Sequence, residues 1–146
     1  MSTPRGVRLQ LGLLLRQSHR RASAALDAAL APLGLTGRHF GVMLLLDQAG
    51  VSTQRDLIQQ TGSDKAGMVR TVELLEELGY LRRTPSSTDK RVAELTLTEA
   101  GAVAFDKARQ LAGKVADQLF DAFTPAELTV LEDLLDRFVH AGRAKD

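Results

Sequence analysis

The chain has 146 residues, 44% of them hydrophobic but only 4% aromatic, and a net charge of +1 at neutral pH. That length suits one domain, whose core must be built from Leu, Val and Ala, and abundant Ala and Leu with few β-branched runs predict a mainly α protein. The absence of cysteine excludes disulfides, thiol nucleophiles, thiol redox sensing and cysteine-bound metals, and with no apolar run near the roughly 18 residues of a membrane span and no signal-peptide pattern, a cytoplasmic protein is expected.

Charge is unevenly placed. Arg5, Arg8, Arg16, Arg20 and Arg21 precede the first acid, whereas from Asp117 onward Asp121, Glu127, Glu132, Asp133, Asp136 and Asp146 outweigh Arg137, Arg143 and Lys145. The two ends can pack together, or both can be solvated helix faces.

The first helix is predicted over residues 7–31, with Leu11, Leu14, Ser18, Ala22, Ala25 and Ala29 along one stripe, and Pro32-Leu33-Gly34 ends it. Thr36 caps a second helix to about residue 46, with Phe40, Met43, Leu44 and Leu46 as core candidates. Ser52 caps a short third helix carrying Leu57 and Ile58, broken by Gly62. Ser63 caps a fourth to Leu78, stopped by Gly79, with Met68, Val72, Leu75 and Leu78 facing inward. Helix, glycine turn and helix in that order form a helix-turn-helix pattern.

A hairpin follows at once. Residues 80–84 are β-compatible, and Ala93, Leu95 and Leu97 alternate with Glu94, Thr96 and Thr98 in a returning strand predicted over residues 89–98. Pro85-Ser86-Ser87-Thr88 between them is polar and predicted as an exposed loop. By its local pattern alone a solvated hairpin is an open alternative; behind a helix-turn-helix the hairpin reads as the wing of a winged helix.

Two long helices close the chain. Thr98 caps the first, from Glu99 to about Phe123, with Val103, Ala108, Leu111, Val115, Leu119 and Phe123 on a stripe. Thr124-Pro125-Ala126-Glu127 combines an N-cap threonine, a proline in the first turn and a glutamate placed for a capping box. Leu128, Leu131, Leu134, Leu135, Phe138 and Val139 then form a broad apolar face, for which a second copy of the chain is the simplest cover.

The fourth helix carries Lys65 and Arg70 toward its N-terminus and Glu73, Glu76 and Glu77 toward its C-terminus, so most of its charges oppose the macrodipole. A helix entering the major groove by its N-terminal half uses such a basic end. Lys65, Ala66, Val69 and Arg70 lie off the apolar stripe; Arg70 can pair bidentately with guanine, or within the helix with Glu73 or Glu77, and Val69 can touch a thymine methyl. In the hairpin Arg82, Arg83, Lys90 and Arg91 outnumber Asp89 and Glu94. An arginine at the exposed end suits a narrow minor groove. Asp89 repels phosphate, so its useful role is to brace the loop through Arg91 or a turn amide.

Asp89-x-Arg91-x-x-x-Leu95-x-Leu97-Thr98 followed by Gly101 resembles the wing motif of the MarR family of bacterial transcription regulators, and the likeness extends upstream through Val69-Arg70, Leu75-Glu76, Gly79-Tyr80 and Arg83. It covers residues 36–101; the flanking helices fit in length and order only. The resemblance implies one domain over 1–146, with a winged helix-turn-helix DNA-binding lobe at 36–98 and homodimer-forming helices at 7–31 and 99–143, reading double-stranded DNA as a pseudo-palindromic operator. It assigns recognition to the Ser63 to Thr71 segment, phosphate contacts to Ser52, Thr53, Gln54 and Arg55, the minor groove to Arg91 and the brace to Asp89. It further implies a pocket for small phenolic or lipophilic effectors where the terminal helices meet the lobe, with Arg16, His19, His39, Phe40 and Met43 as candidate linings.

A ligand-responsive repressor without cofactor is therefore expected. An enzyme is disfavoured by the lack of a cysteine nucleophile, a glycine-rich phosphate loop and a closely spaced His–carboxylate pair. The alternatives are a winged-helix module for protein contacts, or a zinc-responsive regulator if the scattered His19, His39 and His140 converge in a dimer.

Overall fold

A computed structural model describes residues 5–142. Arg143, Lys145 and Asp146, part of the charge contrast above, lie outside them, as does the last residue of the 99–143 helical segment. The elements run α1 (Arg5–Leu30), a 3-10 turn (Ala31–Leu33), α2 (Gly37–Ala49), β1 (Ser52–Thr53), α3 (Gln54–Thr61), α4 (Lys65–Glu77), β2 (Leu81–Pro85), β3 (Ala93–Leu97), α5 (Glu99–Leu119) and α6 (Pro125–His140). The mainly α winged helix-turn-helix read from the sequence is the observed fold. The sheet has three antiparallel strands in the order β1-β3-β2. Its third member, β1, is a two-residue strand too short to show periodicity; it pairs Ser52 with Leu95 and Thr53 with Glu94.

That strand corrects one assignment. Ser52 is buried and paired in the sheet, so it neither caps α3 nor offers its side chain to a phosphate. Thr53 is the cap: its hydroxyl accepts from Asp56 N at 3.1 Å, while Thr53 N donates to Asp56 Oδ2 at 3.3 Å. Ser63 is likewise not the cap of α4, because Asp64 one residue later accepts from Gly67 N at 2.6 Å. A carboxylate at this position also satisfies the positive end of the helix dipole, which a hydroxyl does not.

At the other end of α4, Gly79 adopts φ +77°, open to glycine without penalty. Gly79 N donates to Glu76 O at 3.0 Å and Tyr80 N to Leu75 O at 2.9 Å, a paired closure that ends the helix and launches β2. Leu78, expected to face inward, is instead exposed at this closure. The core lies between α2, α3, α4 and the sheet, where Met43, Leu46, Leu57, Val72, Leu75 and Leu95 are each at most 1% exposed. Leu81 and Leu95 anchor the hairpin to it.

The long helices meet the lobe only partly through the faces expected: Ala108 is buried and Leu111 packs against the core as predicted, whereas other positions differ. On α1 only Leu30 is buried, with Leu26 packed beside it, while Leu11 and Leu14 are exposed. On α5, Ala104, Phe105 and Ala108 are buried and Val103 is exposed. The ring of Phe105 stacks on Phe40 with centroids 5.6 Å apart. The helix ends at Leu119, short of Phe123. Thr124 and Glu127 exchange the two capping bonds expected of them, at 3.0 and 3.2 Å. Helix α6 then buries none of its residues.

Candidate nucleic-acid interface

Local helix chemistry leaves the N-terminal half of α4 presented outward. Lys65, Ala66 and Arg70 are exposed and Val69 half-buried, while Met68, Thr71 and Val72 on the opposite face are buried. The Thr71 hydroxyl donates back to Gly67 O at 2.9 Å, so its polarity is spent inside the helix. Arg70 forms no ion pair among the described residues, and of the α4 glutamates only Glu76 is paired, with Arg83 of β2 at 3.3 Å. Among the described residues neither Lys65 nor Arg70 is therefore held by an ion pair, and the Asp64 carboxylate beside them is engaged by Gly67 N.

The wing is a five-residue ladder from Leu81↔Leu97 to Pro85↔Ala93. Ser86 N donates to Val92 O at 2.8 Å and Val92 N to Asp89 O at 3.0 Å, closing a tip that occupies residues 86–92. The returning strand thus starts at Ala93, not at Asp89. Ser86, expected in an exposed loop, is buried, its hydroxyl 3.0 Å from that of Thr88. Lys90 and Arg91 project from this tip.

Arg91 is 90% exposed along its side chain yet held in one direction. Its Nε donates to Asp89 Oδ1 and its Nη2 to Asp89 Oδ2, both at 3.1 Å, and the Arg91 backbone N–H also donates to Oδ1 at 3.1 Å. The guanidinium, and after it the backbone N–H, holds the Asp89 carboxyl below its ordinary range, and the carboxylate raises Arg91 in turn. Both bracing routes open to Asp89, the arginine and the turn amide, are used together.

A cleft of about 790 Å³ opens behind α4, between α1, α2 and the turn that precedes the helix. Of the five effector-site candidates only His19 lines it. Met43 is fully buried in the core, Phe40 is stacked on Phe105, and Arg16 is exposed away from the cleft. His39 is engaged in the α2 N-terminus, where its Nδ1 accepts from Thr36 N at 2.9 Å; burial lowers its pKa, against a raising pull from Asp27. The residues that line the cleft but were not among those candidates include Ser23, Asp27, Arg38, Ser63 and Asp64. A signal for three of the α1 residues was available: His19, Ser23 and Asp27 recur at four-residue steps, a polar line on one helix face.

No group of three or more His, Asp or Glu is arranged for a metal among the described residues. Nor is any single described helix long and apolar enough to cross a membrane.

The profile of the MarR family matches residues 33–92. The chain is 28% identical over 145 residues to the transcriptional repressor NicR of Pseudomonas putida, covering 97% of this chain and 92% of the relative. It is also 28% identical to the multiple antibiotic resistance protein MarR of Escherichia coli, over 88% of this chain and 90% of that protein. Among solved structures, a MarR variant from E. coli complexed with operator DNA superposes with a TM-score of 0.81 at 27% identity, over 94% of this chain and 99% of that one. BpsR of Bordetella bronchiseptica, whose DNA binding is regulated by 6-hydroxynicotinic acid, superposes with a TM-score of 0.81 at 25% identity, over 89% and 93% of the two chains.

Proposed function

Because the chain belongs to the MarR family, we propose that it is a homodimeric, sequence-specific DNA-binding repressor whose operator affinity is set by a small-molecule effector. The lobe of residues 36–98 reads the DNA, and the helices at 7–31 and 99–143 join two copies. Helix α4 enters the major groove by its N-terminal half, where Arg70 and Lys65 meet base edges or phosphate, and Ala66 and Val69 the apolar parts of bases. Thr53, Gln54 and Arg55 at the N-terminus of α3 take a phosphate, favoured by the free N–H groups there. Lys90 adds a phosphate contact and Arg91 enters the minor groove.

The observation that carries this reading is the Asp89–Arg91 pair. An arginine left 90% exposed but fixed on both carboxylate oxygens has its side-chain entropy already spent, as suits a group that must meet a narrow groove in one orientation. Dimer formation is supported by apolar side chains left open on both terminal helices, including Leu9, Leu13, Leu134 and Phe138. Helix α6 and Phe123 also form an apolar depression of about 420 Å³ that a partner helix can fill.

For the effector we propose the cleft of about 790 Å³ and a small phenolic or lipophilic compound. Ser63 and Asp64 in its wall immediately precede α4, and Asp64 is that helix's cap. A ligand wedged between them and His19, Ser23 and Asp27 of α1 shifts α4 against the dimer helices, changing the separation of the two recognition helices.

Selection of bound duplexes from random-sequence DNA, followed by affinity measurement across salt concentration, tests the reading. A specific regulator yields an enriched pseudo-palindrome whose log affinity falls linearly and steeply with log salt. Failure to retain any duplex at low salt refutes it.

A further inference from the structure

The wing is attached to the lobe at its root and along one edge. At the root the Thr98 hydroxyl donates to Gly79 O at 2.5 Å, and Thr98 N to Tyr80 O at 3.0 Å. Along the inner edge β1 pairs with Leu95 and Glu94, tying β3 to the start of α3. The other edge, β2, is open: beyond Leu81 every residue of the strand is exposed. One ion pair crosses from that edge to the recognition helix. Arg83, mid-strand and opposite Leu95, donates from Nε to Oε2 of Glu76 on the last turn of α4 at 3.3 Å.

Local energetics do not favour Glu76 at this position. An acid at the C-terminal end of a helix opposes the macrodipole, and a pair this exposed, 38% and 43% along the two side chains, contributes little to stability. In a DNA-reading lobe the carboxylate also repels phosphate. What the pair does have is position: it adds a third attachment, on the one edge the other two leave loose, and joins the wing to the very helix it must work beside.

We infer that Glu76 and Arg83 are a positioning pair that sets the pitch of the wing against α4, and so the spacing between Arg70 in one groove and Arg91 in the next. Neither residue is needed at a base for this role, which rests on the DNA-reading function proposed above. The pair acts as a strut, and either polarity of charge serves it.

The sign of the effect separates this role from electrostatics. Removing a negative charge from a DNA-binding surface strengthens phosphate attraction, whereas removing a strut weakens binding. Glu76→Gln, Arg83→Glu and the double exchange Glu76→Arg/Arg83→Glu are to be titrated against a duplex selected by the wild-type protein, with thermal unfolding alongside. Glu76→Gln is expected to lose about fivefold in affinity with its unfolding midpoint unchanged, a coupling of the size found between contacting residues. The double exchange is expected to recover most of what Arg83→Glu loses, and hydroxyl-radical footprints of Glu76→Gln to lose protection at the wing-contacted minor groove while keeping it in the major groove. Equal or tighter binding by Glu76→Gln overturns the inference, as does a double exchange no better than Arg83→Glu alone, which would make Arg83 a direct DNA contact. A wild-type protein that selects no duplex refutes the DNA-binding reading instead.

Discussion

Asp89 and Arg91 are joined through three hydrogen bonds at 3.1 Å, two from the guanidinium and one from the Arg91 backbone N–H, so one carboxylate fixes both the turn and the side chain that leaves it. Arg91→Ala is expected to weaken operator binding roughly tenfold and to flatten the salt dependence, without lowering the unfolding midpoint, since the side chain is 90% exposed and is bonded only to Asp89. Asp89→Ala is expected to weaken binding too, although it removes a charge that repels DNA. Tighter binding by Asp89→Ala in a fluorescence-anisotropy titration would show that the brace is dispensable.

The same pair has a pH signature. The Asp89 carboxyl is depressed first by the Arg91 side chain and then by its backbone N–H. A depressed carboxyl keeps its partner in full above the ordinary carboxylate value of about 4 and loses it only as pH falls further, through the folded value. The Asp89-dependent share of DNA affinity is therefore expected to be constant from neutral pH down to about that value. A loss of this share near pH 6 in matched titrations of wild type and Asp89→Ala would contradict the pairing.

Several element boundaries marked by local chemistry were legible in the sequence, although the caps of α3 and α4 each lie one residue after the predicted Ser52 and Ser63. The Thr124/Glu127 capping box, the Gly79 stop and the alternation of Ala93, Leu95 and Leu97 all do their work within a few residues. What was not legible depends on packing between distant segments. Strand β1 exists because β3 offers Leu95 and Glu94 as partners, and two residues carry no period of their own. Val103 and Phe105 exchanged roles because the face of α5 that turns inward is chosen by α1 and α2, where Phe40 waits for a ring. Met43 and Phe40 do not line the cleft for a related reason: they are apolar residues on the lobe side of α2, and such residues fill the core before they line a cleft.

Gly101 tests how tightly α5 is docked on the wing root. A Cβ at this position would land on the backbone carbonyl of Tyr80, which no side-chain rotation can relieve. Gly101→Ala gains helix propensity but forces α5 and the wing root apart. It is expected to destabilise the fold by about 1–3 kcal/mol, as overpacked cores do. Thermal denaturation checks this; a midpoint at or above wild type would mean that the joint can open at no cost.

His39 makes stability sensitive to mild acid. Its Nδ1 accepts from Thr36 N, an arrangement only the neutral ring can make, and burial holds its pKa below the ordinary value despite Asp27 nearby. For a histidine lowered in the folded state, the unfolded chain binds more protons, so the stabilisation is complete above about pH 6.5 and declines as pH falls through the folded value. His39→Gln, which can still accept from Thr36, is expected to flatten the decline in unfolding midpoint between pH 7 and pH 5. An unchanged slope would place the acid sensitivity elsewhere.

Leu134 and Phe138 stand one helical turn apart on α6, 49% and 63% exposed in the single chain. Such a pair is a burden on a monomer and an asset at an interface, where its apolar area leaves water. The acids Glu132, Asp133 and Asp136 share this helix, while α1 offers exposed leucines among Arg8, Arg16 and Arg20. Complementary charge around an apolar seam favours α1 of one copy against α6 of the other, and disfavours α6 against itself. Leu134→Arg is accordingly expected to separate the dimer into folded monomers, because α6 buries nothing in its own chain, and to reduce operator affinity through loss of the second lobe. Sedimentation velocity at micromolar concentration measures the first effect and titration with the selected duplex the second. A variant that stays dimeric, or a wild type that sediments as a monomer, would remove α6 from the interface.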